Sequence, residues 1–386
     1  MMPSSPASAP ANLPVELLPD EPALPEAEDG IALCLSGGGY RAMIFHLGAL
    51  WRLYEAGILG NVARISSVSG GSITAAALAL AWPRLSFQGD AKRDFVPQVV
   101  DPVRSLARRT IDRRAIIVGA FLPGSIADRV TSAYDKHLFH GATLQDLPDQ
   151  PRFVINSTNI QSGVLWRFSK PYMRDWRVGE VQKPRLPLAR AVAASSAFPP
   201  VLSPVTLELD SHAFTPASGK DLQREPFTTK VLLSDGGVYD NLGLETAFKR
   251  YQTVLVSDGG GRLWPQEKPK GDWARHAVRV LTLIDSQVRS LRKRQLITAF
   301  RSGLRRGAYW STWTEIGEYN VELPLSCPPE RTLELAVIPT RLKRLSDEHQ
   351  ERLINWGYAA CDAGLRAHLR PPPALPQGFP YPETGV

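Results

Sequence analysis

The 386-residue chain predicts an α/β fold, a mainly parallel sheet with helices on both faces. Three observations point that way. Short apolar runs rich in β-branched residues alternate with helix-like stretches, the pattern of strands joined by crossover helices. Two of the strand-to-helix junctions are tight glycine turns, Ser36-Gly37-Gly38-Gly39-Tyr40-Arg41 and Ser67-Val68-Ser69-Gly70-Gly71. The composition, 43% hydrophobic and 22% charged, is that of a globular chain able to bury one large core.

Residues 1–30 are rich in Pro, Ala and acidic side chains and read as a disordered tail. They carry neither the basic start nor the apolar stretch of a secretory signal. Ile31–Leu35 is the first strand, followed by a helix over Ala42–Ala56 that Gly57 caps. Ile65–Val68 is the second, followed by a helix over Gly70–Ala81 closed by Trp82-Pro83. Residues 83–150 are irregular and rich in arginine, and 203–228 is polar with three prolines. Both read as insertions on the core, of the kind that form a lid or cap. Later strands are expected at Phe153–Asn156, Val231–Leu233, Thr253–Val256 and Val278–Ile284. Residues 371–386 are again Pro-rich and read as a second disordered tail. In open parallel sheets, sites form at the carboxyl ends of the strands, where both glycine turns lie.

Several function classes are disfavoured. The longest apolar stretch, Ala75–Trp82, is too short to cross a bilayer. Cys34, Cys327 and Cys361 are odd in number and scattered, which argues against a disulfide framework or a zinc site and makes a reducing cytoplasm the default compartment. The net charge of +7 suits nucleic acid or an anionic membrane surface. The arginine clusters Arg104–Arg114 and Arg289–Arg306 lack the interleaved aromatics of a single-strand-binding groove, and their plainest reading is a solvated helix face. In the second, Ile297, Phe300 and Leu304 share one helix side, flanked by Arg294, Arg301 and Arg305. That side suits a membrane surface or the protein's own core, with core packing the preferred reading.

Serine becomes a nucleophile only when a base takes its proton and donors meet the oxyanion. Ser69 follows a β-branched strand, and Gly70-Gly71 lets the backbone turn sharply and present the hydroxyl at a helix start. The usual elbow is Gly-x-Ser-x-Gly, and here Ser67 stands in the first position. Gly37, Gly38 and Gly39 offer successive N–H groups at a helix N-terminus, suited to an oxyanion or a phosphate. Neither a Walker lysine nor a third Rossmann glycine follows them, since Ala42 holds that place. None of the seven histidines (His46, His137, His140, His212, His276, His349, His368) sits in a recognisable loop motif. Asp235, at the end of Val231-Leu232-Leu233-Ser234 and before Gly236-Gly237, is a candidate base. Asp258, before Gly259-Gly260, has the same local form, and spacing does not choose between them.

Together these segments resemble the patatin-like phospholipases. The resemblance rests on Ser36 to Ala42, Gly57-Ile58-Leu59, Ser67 to Gly71, Ala193 to Pro200, and Asp235 to Gly243, in that order over residues 30–260. Ser36 to Met43 is also similar to the cytosolic group IV phospholipases A. The resemblance implies a three-layer α/β/α fold with helical insertions and a lipid acyl hydrolase of phospholipase A type. It implies a Ser–Asp dyad without histidine, Ser69 as nucleophile and Asp235 as base, because Asp235 carries the Val-Tyr-Asp-Asn-Leu-Gly continuation that Asp258 lacks. Gly37, Gly38 and Gly39 would form the oxyanion hole with Arg41 as an auxiliary cation, and Ser67, Gly70, Gly71, Gly236 and Gly237 would shape the turns.

The resemblance implies neither a cofactor nor a metal, and no calcium-loop pattern is present. The expected partners are a phospholipid or other acyl-ester lipid and an anionic membrane surface met peripherally from the cytoplasm, with no nucleic acid as substrate. Residues 31–260 would be the catalytic domain and 261–370 a C-terminal α/β extension packed on the core. Alternatives left open are a signal-activated membrane-degrading effector with the same chemistry, a Ser–His–Asp esterase drawing on His276, His349 or His368, and a non-catalytic lipid- or protein-binding module.

Overall fold

The computed structural model describes residues 26–87, 90–111 and 126–386. A 10-stranded mixed sheet runs through the described residues in the order β10-β9-β1-β2-β3-β4-β5-β6, with β8 pairing β3 and β7 pairing β8. The parallel half comprises β1 (Glu28–Leu35), β2 (Val62–Val68), β3 (Arg152–Asn159), β9 (Tyr251–Asp258) and β10 (Arg306–Ser311). The other half is antiparallel: β4 (Val164–Phe168), β5 (Tyr172–Asp175), β6 (Gly179–Gln182), β7 (Val205–Glu208) and β8 (Lys230–Asp235). Alternation along β1 builds two cores. Leu33 and Leu35 join the larger cluster on one face. Ala32 and Cys34 join a smaller one on the other. Both faces are buried, as a parallel sheet requires.

On the first face lie α1 (Gly39–Glu55), α2 (Gly70–Ala81), the insertion helices α3 (Asp101–Ala107) and α4 (Ile126–Tyr134), and the short α5 (Leu188–Ser195). The second face carries α6 (Gly237–Asp240), α7 (Glu245–Phe248) and α8 (Trp273–Arg301). The chain then adds α9 (Pro329–Ala336) and α10 (Asp347–His368). The result is the predicted three-layer α/β/α class.

Every residue of α1 from Gly39 to Tyr54 is buried, because α10 covers the side turned away from the sheet. The two helices cross at glycines. A Cβ on Gly48 would lie 1.8 Å from the Ile354 carbonyl oxygen, and one on Gly357 would lie 1.9 Å from that of Phe45. Beside the crossing, Arg52 Nε meets Asp362 Oδ1 at 2.8 Å, with side chains 3% and 1% exposed.

Several expectations are corrected. Val278–Ile284, read as a strand, lies inside α8; a short apolar run has no decisive period, and the flanking polar sequence continues the helix. The first helix starts at Gly39, three residues before Ala42. The alternation implied a mainly parallel sheet without saying which strands depart from it; β4 to β8 are the antiparallel ones, and β8 runs antiparallel to β3. Residues 371–386, read as a disordered tail, pack along α1 and α10. Asn355 Nδ2 donates to the carbonyls of Tyr381 and Gly385, both at 2.7 Å, and Val386 is buried. Prolines prevent regular structure there, but side chains of α10 satisfy the backbone instead.

The first predicted tail is shortened by β1, which begins at Glu28, and residues 1–25 lie outside the described residues. The 83–150 insertion is helical and sealed onto the core through Phe95, Val99, Val103 and Leu106, with 88–89 and 112–125 outside the described residues. Of its described arginines, Arg104 is buried and pairs with Glu351 at 2.8 Å, while the exposed Arg108 pairs with Asp347 at 2.7 Å; Arg113 and Arg114 lie outside the described residues. The 203–228 segment contributes β7, which forms a ladder with β8. Ile297 and Phe300 pack against the second-face core, whereas Leu304 lies beyond the helix end and is exposed.

Replacing Asp362 with Ala leaves the buried Arg52 guanidinium without its carboxylate. The expected loss is about 3–5 kcal/mol of stability, read from denaturant unfolding; a loss below about 1 kcal/mol would contradict a buried, functional ion pair.

Candidate active site

The edge of β3 brings two strand ends together. Val68, the last residue of β2, registers with Asn156 in parallel. Asp235, the last residue of β8, registers with the next residue, Ser157, in antiparallel. β4 occupies the other edge over the same stretch, so β8 takes up the edge that β2 vacates when the chain turns into α2. Ser69 and Asp235 thus arrive from opposite directions at one level of the sheet.

The turn at Ser69 is strained. Its φ is 52° and its ψ −121°, a conformation a non-glycine residue holds only under constraint. The constraint is a web of small polar groups. Ser69 N–H donates to Ser195 Oγ at 3.0 Å, Ser195 Oγ donates to the Asn156 carbonyl at 2.6 Å, and Ser72 Oγ lies 2.8 Å from Ser195 Oγ. Ser67 accepts from Ser72 Oγ at 3.0 Å, a cross-turn bond that a glycine in its place could not make. Gly71 N–H donates to the Ser36 carbonyl at 3.2 Å, tying the elbow to the first glycine turn.

That turn lies directly against Ser69. A Cβ on Gly37 would lie 3.1 Å from Ser69 Cβ and 2.3 Å from Asn241 Oδ1, and one on Gly70 would lie 2.1 Å from the Gly39 carbonyl oxygen. No larger residue fits either place. The expected roles divide, however. Gly37 N–H donates to the Asn241 carbonyl at 3.0 Å and is not free for an oxyanion. Among the described residues the N–H groups of Gly38 and Gly39 donate to no main-chain acceptor, so these two remain the candidate donors.

Arg41 is a second correction. Its guanidinium is buried and turned to the C-terminal segment, donating to the carbonyls of Gly259, Ala336 and Ile338 and to Thr340 Oγ1. Burial, with Arg289 nearby, lowers its pKa to about 10, and it stays charged at neutral pH. It clamps the extension to the glycine loop instead of facing the hole.

Asp235 is 1% exposed. Its main chain is fixed on several sides: N–H to the Ala197 carbonyl at 3.0 Å, carbonyl accepting from Thr158 Oγ1 at 2.8 Å, and Gly236 N–H to the Ser195 carbonyl at 3.2 Å. Oδ1 accepts from Gly237 N–H at 2.7 Å, while the buried Oδ2 has no fully formed hydrogen bond. Burial raises the pKa to about 7, opposed by the Gly237 amide and the Ser69 hydroxyl and helped by Asp285 of α8.

Asp258, the local twin of Asp235, has a different setting. It accepts from Ser36 Oγ at 3.2 Å, Gly260 N–H at 2.8 Å and Tyr309 Oη at 2.8 Å. Those bonds hold it ionised, its pKa lowered by Arg289 and Tyr309 against the effect of burial. It braces the glycine loop from behind.

His46 is buried between Ser257 Oγ at 2.8 Å and the Ser36 carbonyl at 3.0 Å, and burial lowers its pKa to about 4. Among the described residues no histidine hydrogen-bonds to Ser69 or Asp235, and no group of three or more His, Cys, Asp or Glu could hold a metal ion.

Asn156, Ser195 and Asn241 were given no role from sequence. Asn156 Nδ2 donates to Ser66 Oγ and to the Ser67 carbonyl, both at 2.9 Å, which fixes the end of β2. Ser195 and Asn241 lie inside the segments that carry the family resemblance, which was their only signal.

The chain is similar to human GIVD cytosolic phospholipase A2 in complex with methyl gamma-linolenyl fluorophosphonate, at 15% identity over 86% of this chain and 57% of that one, with a TM-score of 0.47. It is also similar to VipD from Legionella pneumophila, at 16% identity over 86% of this chain and 66% of that one, with a TM-score of 0.34. A third likeness is to the type III effector protein ExoU, at 14% identity over 86% and 52%, with a TM-score of 0.31. The chain spans 50% of the human enzyme in another of its structures, so these proteins carry considerable chain beyond the match. No curated protein sequence matches. The patatin-like phospholipase profile matches residues 33–248, which take in both glycine turns, the Ser195 segment and Asp235. On that match, over more than half of its length, the chain belongs to the patatin-like phospholipase family, a family of lipid hydrolases.

Proposed function

We propose that the protein is a phospholipase A-type acyl hydrolase working through a Ser69–Asp235 dyad. The observation that carries this reading is the meeting of Ser69 and a buried, half-satisfied carboxylate at adjacent positions along β3. An ionised Asp235 takes the Ser69 proton as Oγ attacks the ester carbonyl. The oxyanion that forms is met by the Gly38 and Gly39 amides at the start of α1, where the helix dipole adds to their effect. Collapse of the tetrahedral intermediate passes the proton from Asp235 to the leaving lysolipid alcohol and leaves an acyl-Ser69. Water, deprotonated by Asp235, attacks that ester and releases the fatty acid. A base with a pKa near 7 suits both proton transfers at neutral pH. No helix among the described residues is long and apolar enough to cross a membrane, and lipid contact in this reading is peripheral.

Fatty-acid release from mixed phospholipid vesicles tests the dyad. Ser69→Ala and Asp235→Asn are each expected to lower the rate by about a thousandfold or more, and undiminished release by Ser69→Ala would overturn the mechanism.

The pH profile follows from the base. Below pH 7 Asp235 is protonated and cannot accept the serine proton, so kcat/KM should fall as pH drops through about 7. A profile flat from pH 5 to 8 would contradict Asp235 as base.

Stability has the opposite sign. The folded protein binds a proton on Asp235 up to about pH 7 that the unfolded chain, with a carboxyl near 3.8, releases earlier. Stability from this group is therefore present at low pH and lost as pH rises through that window, by up to about 4 kcal/mol. Asp235→Asn should accordingly raise the melting temperature at pH 8, measured calorimetrically, while abolishing turnover.

A further inference from the structure

The feature that the hydrolase reading leaves unexplained is α8. Its C-terminal half is an ordinary core helix, with Leu296 and Ala299 buried against the second face of the sheet. Its N-terminal half is not. From Trp273 to Ile284 every described residue except Arg279 is exposed, so about three turns, or about 18 Å of helix, stand off the body. Beside the polar Arg275, His276 and Thr282, large apolar side chains are exposed here and further along the helix: Trp273 is 84% exposed, Leu281 58%, Leu291 57% and Ile284 51%. At 100° per residue, Trp273, Val280, Ile284 and Leu291 fall within about 40° of one another, on the side opposite the buried Leu296. A single exposed apolar residue needs no explanation, whereas a continuous stripe of this size marks an interaction surface.

Its position ties the stripe to the site. Arg292 Nη2 donates to the Tyr239 carbonyl at 3.3 Å, and the same side chain pairs with Asp240 and Glu245, all within ten residues of Asp235. Arg289, one turn earlier, donates to the Gly261 carbonyl in the segment that Arg41 clamps beside the glycine loop. α8 is therefore anchored to the segments that follow β8 and β9, the strands that end in Asp235 and Asp258. Val238, three residues after Asp235, and Phe198, next to the Ala197 carbonyl that holds the Asp235 N–H, are also exposed.

The helix carries seven Lys or Arg and the single acid Asp285. Arg294 and Arg301 lie on the outward side past the end of the apolar stripe. Apolar side chains on an outward face bordered by basic groups are what an anionic bilayer surface binds.

We propose that the N-terminal half of α8, with Trp273, Val280, Ile284 and Leu291 inserted among lipid headgroups, docks the protein on an anionic lipid surface and sets the site mouth against it. This inference rests on the hydrolase reading for the purpose of docking, but its test does not.

Flotation of the full-length chain, carrying Ser69→Ala so that vesicles stay intact, is measured with phosphatidylcholine vesicles with and without phosphatidylglycerol. Binding is expected to the anionic vesicles and to weaken with added salt. The double substitution Ile284→Glu with Leu291→Glu should lower the partition coefficient by about a hundredfold, with thermal unfolding unchanged. Trp273→Ala, at the most exposed of these positions, gives an independent variant that no core packing depends on and should lower it by about tenfold. Equal flotation by all three proteins overturns the proposal. So does a dimer in light scattering that the same substitutions dissociate, which would make a second copy of the chain the occupant. Because the readout is binding, flotation that the substitutions weaken, with no fatty-acid release by the chain that keeps Ser69, sinks the hydrolase reading alone, and release by that chain with flotation unchanged by the substitutions sinks the docking alone.

Discussion

The site depends on one arrangement, the sharing of a single edge of β3 by β2 and β8. Two strands that meet end to end along a third cannot slide relative to each other without breaking its ladder. Every other feature of the site refines that placement. Asn156 and Ser157, the two β3 residues at the junction, spend their side chains on it: Asn156 holds the end of β2, and Ser157 Oγ donates to the Ser234 carbonyl at 2.6 Å. The register leaves Ser69 and Asp235 little freedom to separate. The proposed dyad, which has no histidine between its members, requires that fixed spacing.

The same arrangement works against stability. A non-glycine residue at positive φ and a buried carboxylate with an unsatisfied oxygen are each unfavourable by amounts that matter against a small net stability. The surroundings compensate through dense packing: α1 pressed onto α10 at a glycine crossing, the buried Arg52–Asp362 pair, and the C-terminal segment laid along both helices. Arg41 and Asp258 belong to this frame. One ties the extension to the glycine loop, the other braces the loop from behind, and neither turns its charge toward the reacting atoms.

What could be read from sequence was local. The bounds of α2, the two glycine turns and the strand before Asp235 are all visible as short-range pattern, because turn chemistry and apolar runs act within a few residues. Strand direction is not written locally, so nothing in Val231–Leu233 announced that β8 runs against β3. Nor could spacing separate Asp235 from Asp258, which differ in what surrounds them in space. The assignment of Arg41 to the oxyanion hole failed for the same reason: its partners, Gly259 to Thr340, lie more than two hundred residues away. The Val278–Ile284 run misled because exposed β-branched residues in a helix are unusual, and that anomaly is itself the signal at α8.

The distribution of charge completes the argument. A net charge of +7 spread evenly would say little about partners. Within the first arginine cluster, Arg104 and Arg108 pair with Glu351 and Asp347 of α10. The second runs through α8, which carries seven cations and one acid of its own; Arg292 and Arg275 pair with acids outside the helix, and Arg294 and Arg301 are exposed. α8, which carries the exposed apolar stripe, is tied through Arg292 and Arg289 to the segments that follow β8 and β9. A soluble ester would need none of this, since it can diffuse into a site from any side. If the proposed substrate is a lipid held in a sheet of anionic headgroups, the site must be brought up against that sheet, and in the docking proposal α8 meets that geometric demand.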